Sequence, residues 1–466
     1  MSSSPLPSVT PASVSAPGLR SQFRRVLGPG DPEYDRARAV VVGAFDARPA
    51  VIIRAADADD VARVTVLASE TGLELAVRSG GHSSAGHSST DGGILLDLRD
   101  LNAFEIDAAG HTAWAGAGLT AAEFTAAAGA HGLATGFGDT GSVGLGGLTL
   151  GGGVGYLARK HGLTIDNLLA AEVVTADGQV RHVDEHTHPD LFWALRGGGG
   201  NFGVATRFQF RLHEVDEVVG GLLILPATAE TIAGFVAAAQ AAPDELTTIA
   251  NVVNCPPLPF VAAANHGRLV IVARVCCVGD ESAGMRALAP FVELAAPLAN
   301  QLRAMRYPEM FAPEEPDYHP TAVAWTMFRD SVDPGAAATI VERLEASDAS
   351  MRVAQLRVLG GAVSRVPAEA TAYAHRAHHV MVNLAAAYDG PADRVVRQTW
   401  VDDFARTLDQ GNDGAYVNFL ADEGPARVRA AYPEATWERL AAIKTAYDPT
   451  NLFRLNQNIP PAATAG

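Results

Sequence analysis

Two imidazoles stand five residues apart in a glycine-bearing stretch, Val77-Arg78-Ser79-Gly80-Gly81-His82-Ser83, running on to Gly86-His87. A strand that ends in two glycines turns tightly, and successive backbone N–H groups in such a turn cradle an anion such as a pyrophosphate. His82 projects from that loop; a tight turn with a surface histidine accounts for the segment equally well. A second segment, Gly136 to Gly155, holds ten glycines in twenty positions. Neither helix nor strand propensity explains that density, whereas close backbone approach to a large flat or phosphorylated ligand does. A flexible linker is disfavoured because Val143, Leu145, Leu148, Leu150 and Val154 are interleaved. The third segment is Arg196-Gly-Gly-Gly-Gly-Asn-Phe-Gly203. The pattern GxGxxG occurs at Gly136–Gly141 and at Gly198–Gly203. The nucleotide-binding form of this pattern needs a strand before and a helix after, so that phosphate meets a helix N-terminus. Here the first match follows a helix-like run, and the second follows a helix and precedes a strand. Both orders argue against a doubly wound dinucleotide fold. His82 and His87 lack a nearby cysteine or acidic partner, so no metal set is expected.

The elements that must position these loops are legible around them. AVIIRA (50–55) and GILLDL (93–98) are short apolar runs of strand character, and LELAVRS (73–79) leads into Gly80-Gly81. Between them, Val61, Val64, Leu67 and Ala68 recur at helical spacing over 57–71, with Gly72 as the stop. Thr120-Ala-Ala-Glu123 matches a capping box and opens a helix over 121–131. Val204, Phe208, Phe210 and Leu212 alternate with Arg207, Gln209 and Arg211, a strand with one dry and one wet face. Beyond about residue 218 the glycine clusters stop. Helical stretches (229–242, 282–298) then alternate with strand-like ones (269–277, 353–359, 379–387). This pattern predicts a disordered Ser/Pro-rich tail at 1–18, a first domain at 19–217, a second α+β domain at 218–414, and a final piece at 415–466 that returns to the first.

The chain has 466 residues and a net charge of −17, with 35 basic against 52 acidic side chains. An acidic surface argues against a nucleic-acid footprint. No run of about 18 apolar residues suggests a membrane span. Three cysteines, two of them adjacent (Cys276 and Cys277, with Cys255), form no disulfide framework and fit a reducing compartment. With no export signal evident, a cytoplasmic location is expected. Nothing in the sequence sets the oligomeric state.

The motifs VRSGGHSSAGHS, GLGGLTLGGGVG, GLTIDNL (162–168), VVTADG (173–178) and PDLFWALRGGGGNFG occur in this order. LGGAVSRVP (359–367), AYVNF (415–419) and YDPTNLFRLNQNIPP (447–461) follow. Together they resemble the berberine-bridge-enzyme-like flavoproteins of the vanillyl-alcohol-oxidase/PCMH superfamily. The resemblance covers nearly everything after residue 30. It implies an α+β protein: a PCMH-type FAD-binding domain of two α/β parts, and a substrate domain whose antiparallel sheet, backed by helices, covers the flavin. It implies that the cofactor is FAD, bonded at its 8α-methyl to His82. The loop of Arg78, Ser79, Gly80, Gly81 and Ser83 is implied to hold the pyrophosphate, and His87 to bind the cofactor as well. Thr140, Gly141, Val143, Gly144, Gly146, Gly147, Gly151, Gly152, Gly153 and Gly155 are implied to line the flavin. Val204, Tyr416, Asn418, Asn456 and Asn458 are implied to contact it. Many relatives carry a second link through a cysteine four residues before the GxGG stretch; here that position is Thr140, so a single covalent bond is expected.

The reaction implied is hydride transfer from a small alcohol, sugar, amine or secondary metabolite to flavin N5, with O2 as the acceptor. Tyr416 is the candidate base, a role that the Tyr-x-Asn tyrosine plays in carbohydrate-oxidising relatives. On a strand, Tyr416 and Asn418 would face the same side. Gln355 and Arg357 alternate on the strand predicted at 353–359, and Asn383 lies on the next; Gln355 is neutral, so it orients a ligand rather than taking a proton. His375, His378 and His379 titrate near neutrality by residue type, with a strand-edge role as the default. Two other readings remain at this level: a flavin-dependent oxygenase of polyketide metabolism, whose members tend to carry an acidic residue where Gln355 stands, and a flavin-binding protein without catalysis.

Overall fold

The computed structural model describes residues 14–311, 319–412 and 414–463. Most of the expected tail therefore lies outside the described residues, but its end does not. Val14 and Ala16 are buried and Ala16–Leu19 forms a helical turn, with the Ala16 methyl packed where a Cβ at Gly28 would collide with it. The disorder expected to residue 18 is corrected there.

Among the described residues, three sheets of four or more strands follow from the patterns in the sequence, beside a two-stranded ribbon. The apolar runs become Val51–Arg54, Ile94–Asp97 and Leu75–Arg78, paired in parallel, with Arg25–Leu27 antiparallel at the edge. Their fully buried side chains suit a parallel sheet covered on both faces. The helix Ala58–Thr71 packs on it, capped by Asp57 and stopped by Gly72 in the left-handed region. The second sheet is antiparallel throughout, in the order Phe104–Asp107, Thr112–Gly116, Val204–Arg211, Leu168–Val174, Val180–Asp184. The capping box forms, with Thr120 and Glu123 exchanging hydrogen bonds at the start of the helix Ala121–Gly129.

The third sheet is antiparallel and spans residues 217–387. Its central strands run Glu217–Pro226, Leu269–Val278, Leu246–Asn254, Arg352–Val358, Val380–Ala387, Ala322–Arg329. The helices Ala229–Ala241, Pro334–Ala346 and Gly390–Leu408 pack against one face around Ala354, Leu356, Val382 and Leu384. The pleat sends the alternate residues to the opposite face. Asn251 pairs with Gln355, and Gln355 with Asn383, so three amide side chains form a row across three strands. The helix expected over 282–298 ends at Val292, where Pro290 and then Pro297 deprive it of N–H donors.

The C-terminal helix Glu434–Tyr447 carries a buried charge that ties the chain's end to its middle. The Lys444 ammonium is fully buried and donates to the Asn201 carbonyl (2.7 Å), the Phe453 carbonyl (3.0 Å) and Asp448 Oδ2 (2.7 Å). All three of its protons are thereby used. Elsewhere, His161 and His213 stack at 3.9 Å between ring centroids. Among the described residues, no helix is long and apolar enough to cross a membrane, and no group of three His, Cys, Asp or Glu side chains could hold a metal ion.

Two stability measurements follow. Lys444→Met strands the Asp448 carboxylate in the interior, and breaking a buried pair in this way costs about 3–5 kcal/mol. The urea midpoint should fall accordingly; an unchanged midpoint refutes the tie. Burial holds His161 down to about 3, and His213 and His375 down to about 4. The unfolded chain, with histidines near 6.5, binds more protons in that interval. Their stabilising contribution is present above about pH 6.5 and is lost as pH falls toward 4. Urea midpoints between pH 7 and 4 should drop, and less steeply in His161→Gln.

Candidate active site

The glycine-rich segments, the amide row and the C-terminal segment enclose one cavity of about 520 Å³. That size lies within the range of about 300–1,000 Å³ common for small-molecule and cofactor sites. One wall is backbone. Ser79, Gly80, Gly81, His82 and Ser83 line it from the end of the strand Leu75–Arg78, with Thr140, Val143, Gly144, Gly146 and Gly147 beside them. A Cβ at Gly80 would overlap the backbone nitrogen of Gly144, and one at Gly144 would overlap Ser79 Oγ and the Gly80 nitrogen. The two loops are in bare backbone contact. By contrast, a Cβ at Gly147 or Gly200 would meet nothing within 4 Å, so there the glycines leave the space to the cavity.

The facing wall belongs to the large sheet. Gln355, Arg357 and Asn383 reach the cavity from its open face. Gln355 Nε2 donates to Asn251 Oδ1 (2.9 Å), and Gln355 Oε1 accepts from Arg357 Nε (2.8 Å). Arg357 donates through Nη2 to both oxygens of Asp139 (3.0 and 2.9 Å) and through Nη1 to the Val154 carbonyl (3.3 Å). Among the described residues, Asp139 is the acidic side chain that lines the cavity, and Arg357 balances its charge. Arg357 also lies over the Phe419 ring at 5.1 Å.

Tyr416 closes the site. The strand expected there does not form; Val417–Phe419 is a single 3-10 turn that follows Tyr416. The turn nevertheless brings the pair together, since Asn418 Nδ2 donates to the Tyr416 oxygen at 3.1 Å. The Gly153 N–H donates to the same oxygen at 2.8 Å. Burial pushes the Tyr416 hydroxyl above its ordinary value, while these two donors and the Arg357 charge pull it back. Asn418 also donates to the Leu148 carbonyl (3.0 Å), which docks the C-terminal segment on the glycine-rich helix Leu145–Gly151.

His87, Val204 and Asn456 also line the cavity, but six expected site residues do not. Arg78 is buried and donates to the Ala37 and Ala39 carbonyls and to Asp97, so it holds the loop from behind. The Gly141 carbonyl accepts from Ala122 in the first turn of its helix. Gly151 packs under Asn418, Gly152 under Tyr416, and Gly155 against the Phe137 carbonyl. Asn458 sits beyond the wall with its Oδ1 buried and without a hydrogen-bond partner. His375 is off the cavity too: it is buried, stacks on Phe328 at 4.6 Å, and binds the Ala431 carbonyl instead of edging a strand. Asp139, Asn251 and Ser142 were not singled out from the sequence. Their roles come from partners 60 to 218 residues away, a distance no local pattern spans.

The residues present fit FAD. Two cavity-lining asparagines, Asn383 and Asn456, have buried Oδ1 atoms without a partner among the described residues, which a bound polar group would satisfy. The side-chain-free wall at Gly147 and Gly200 leaves width for a flat ring system. The comparisons agree. Residues 49–184 match the family described as FAD binding domain, and residues 415–460 match berberine and berberine like. The chain is 30% identical over 455 residues to (R)-6-hydroxynicotine oxidase of Paenarthrobacter nicotinovorans, covering 94% of this chain and 96% of that protein. It is 29% identical to an uncharacterised FAD-linked oxidoreductase, YvdP, of Bacillus subtilis strain 168, covering 94% and 98%. The crystal structure of 6-hydroxy-D-nicotine oxidase from Arthrobacter nicotinovorans superposes with a TM-score of 0.82 at 29% identity, covering 93% and 97%. A chitooligosaccharide oxidase shares the fold at 22% identity, with a TM-score of 0.81 over 94% and 97% of the two chains. The chain belongs to the berberine-bridge-enzyme-like FAD-linked oxidoreductases and is an FAD-dependent oxidoreductase.

Proposed function

We propose that the chain is an oxidase that carries FAD on a single covalent bond from His82 and oxidises a small alcohol, sugar, amine or secondary metabolite, with O2 as the electron acceptor. One observation carries this reading. A single cavity has His82 and bare glycine backbone on one wall, and a tyrosine oxygen receiving two N–H donors on another. When bound, FAD supplies the two-electron acceptor for a hydride from the substrate carbon.

The chain's own residues do the rest. A phenol oxygen has one proton and two lone pairs. Gly153 and Asn418 occupy both lone pairs, so the Tyr416 O–H points away from them. Loss of that proton to solvent leaves a phenolate that the same two donors stabilise, and its third lone pair then takes the proton from a substrate hydroxyl or amine. Asn383 Oδ1 accepts a hydrogen bond from the substrate and sets its angle on the wall. Gln355 is fixed on both sides by Asn251 and Arg357, so it orients and does not titrate. Thr140 stands on the cavity wall, and a threonine hydroxyl forms no thioether, which leaves His82 as the attachment point. The named relative acts on hydroxynicotine, a compound of the small-molecule class proposed.

Acid precipitation of the purified protein should leave the yellow colour in the pellet. His82→Ala should fold and release its flavin to the supernatant on the same treatment. A colourless wild-type pellet rejects the covalent link. For the base, a panel of alcohols, sugars and amines is first screened by anaerobic bleaching of the flavin. With the best substrate, Tyr416→Phe should slow flavin reduction about 10²- to 10⁴-fold, the usual worth of general base catalysis. Its substrate dissociation constant should change by no more than about tenfold, the worth of the one ground-state hydrogen bond lost. An unchanged reduction rate removes Tyr416 from the role.

A further inference from the structure

We propose that Ser142 is the positioning residue for cofactor attachment: by holding His82 Nε2, it orients the imidazole and directs bond formation to Nδ1. This rests on the reading that His82 is the attachment point. The observation is the contact of Ser142 Oγ with His82 Nε2 at 2.9 Å.

The surroundings give that contact little freedom. Ser142 is bracketed by two carbonyls that serve a helix. Gly141 and Val143 accept from the N–H groups of Ala122 and Ala121, in the first turn of the helix Ala121–Gly129 (3.0 and 2.9 Å). Those N–H groups have no partner within their own helix, so the bonds are strongly favoured. On the other side, Leu145 N–H donates to the Leu119 carbonyl (2.9 Å). The histidine loop is pinned to the same frame. Ser79 Oγ donates to the Ala117 carbonyl (2.6 Å) and accepts from the Gly146 N–H (3.3 Å). The backbone contact at Gly80 and Gly144 leaves no slack between the two loops. Serine and imidazole therefore meet because their backbones are fixed, and the hydrogen bond selects the ring's orientation.

The chemistry needs that selection. A neutral imidazole offers a lone pair on one nitrogen and a proton on the other. In the tautomer in which Ser142 Oγ accepts from Nε2–H, the lone pair lies on Nδ1. During attachment this lone pair forms a C–N bond to the 8α-methyl carbon as a C–H bond of that carbon breaks. The methyl proton and the Nε2 proton leave to solvent. The two electrons released pass to the ring system and on to O2, which leaves as H2O2. Positive charge develops on the imidazole as the C–N bond forms, and a hydroxyl acceptor at Nε2 strengthens as it does so. Attack through Nε2 would first have to break the contact with Ser142.

The test measures attachment and not turnover. Apoprotein of wild type, Ser142→Ala and Ser142→Thr is incubated with FAD in air. Covalent flavin is then read as fluorescence of the denatured chain on an acidified gel. Ser142→Ala should bind FAD without a covalent bond and melt at the wild-type temperature, but attach at least about tenfold more slowly, the loss of one charge-assisted hydrogen bond. Ser142→Thr, which keeps the hydroxyl, should attach at close to the wild-type rate. In wild type, proton–carbon correlation spectra of the flavin-bearing tryptic peptide should link the 8α protons to Cγ and Cε1 of His82. Wild-type attachment rates in Ser142→Ala, or correlations to Cδ2 and Cε1, overturn the proposal. The peptide spectrum decides even if Ser142→Ala fails to fold. Flavin released by acid from the wild type would overturn the His82 link itself, and this inference with it. A retained flavin with unaffected Ser142→Ala overturns only the role of Ser142.

Discussion

At Gly80 and Gly144 two loops approach so closely that neither has space for a Cβ. This is a constraint of hard-sphere contact, and no adjustment of side-chain rotamers relieves it. Alanine at either position would drive the loops apart. Such a shift would move His82 off Ser142 and Ser79 off the Ala117 carbonyl together, because all four belong to one frame. The rest of the site inherits its geometry from that contact. The strand Leu75–Arg78 delivers one loop, and the helix start at Thr120–Ala122 holds the other.

The tyrosine side of the cavity is built by a different device, a return of the chain end onto its middle. Asn418 fills the space above Gly151 and donates to the Leu148 carbonyl, while Gly153 supplies an N–H to Tyr416. Further along, Lys444 binds the Asn201 carbonyl, and the Asn201 side chain binds the Gln457 carbonyl (3.0 Å) and accepts from the Ile459 N–H (2.9 Å). The third glycine segment is thus locked by residues some 250 positions later. A buried ammonium with three acceptors is costly to form and costly to disturb once formed.

These two devices explain what the sequence disclosed. The short parallel strands, the capping box and the alternating strand at 204–211 rest on local periodicity, and each forms within a residue or two of its expected bounds. The glycine clusters announced close approach, but glycine density does not say what approaches. At Gly147 and Gly200 it is the cavity, at Gly144 another loop, and at Gly155 the Phe137 carbonyl. Arg78 illustrates the same ambiguity: it sits in the histidine motif, yet its guanidinium faces Asp97 and two carbonyls. Tyr416 and Asn418 share a face through a 3-10 turn, where a strand with the same two-residue spacing was the natural reading. Each of these outcomes depends on partners remote in the chain.

The substrate wall carries the same lesson into chemistry. Arg357 faces the cavity, and read alone it marks a site for an anionic substrate. Its guanidinium is committed, however: one fork to Asp139, one edge to Gln355 and one proton to the Val154 carbonyl. Asp139 is committed in return, so neither charge is available to select a substrate ion. What remains on this wall is the amide of Gln355, whose orientation is fixed, and the Asn383 oxygen, which lacks a partner. On the proposed function, recognition there would reduce to hydrogen-bond pattern and shape. The register that sets Asn251, Gln355 and Asn383 in one row keeps this face polar, since a one-residue slip of either strand pair would replace the amide face with Leu356 and Leu384.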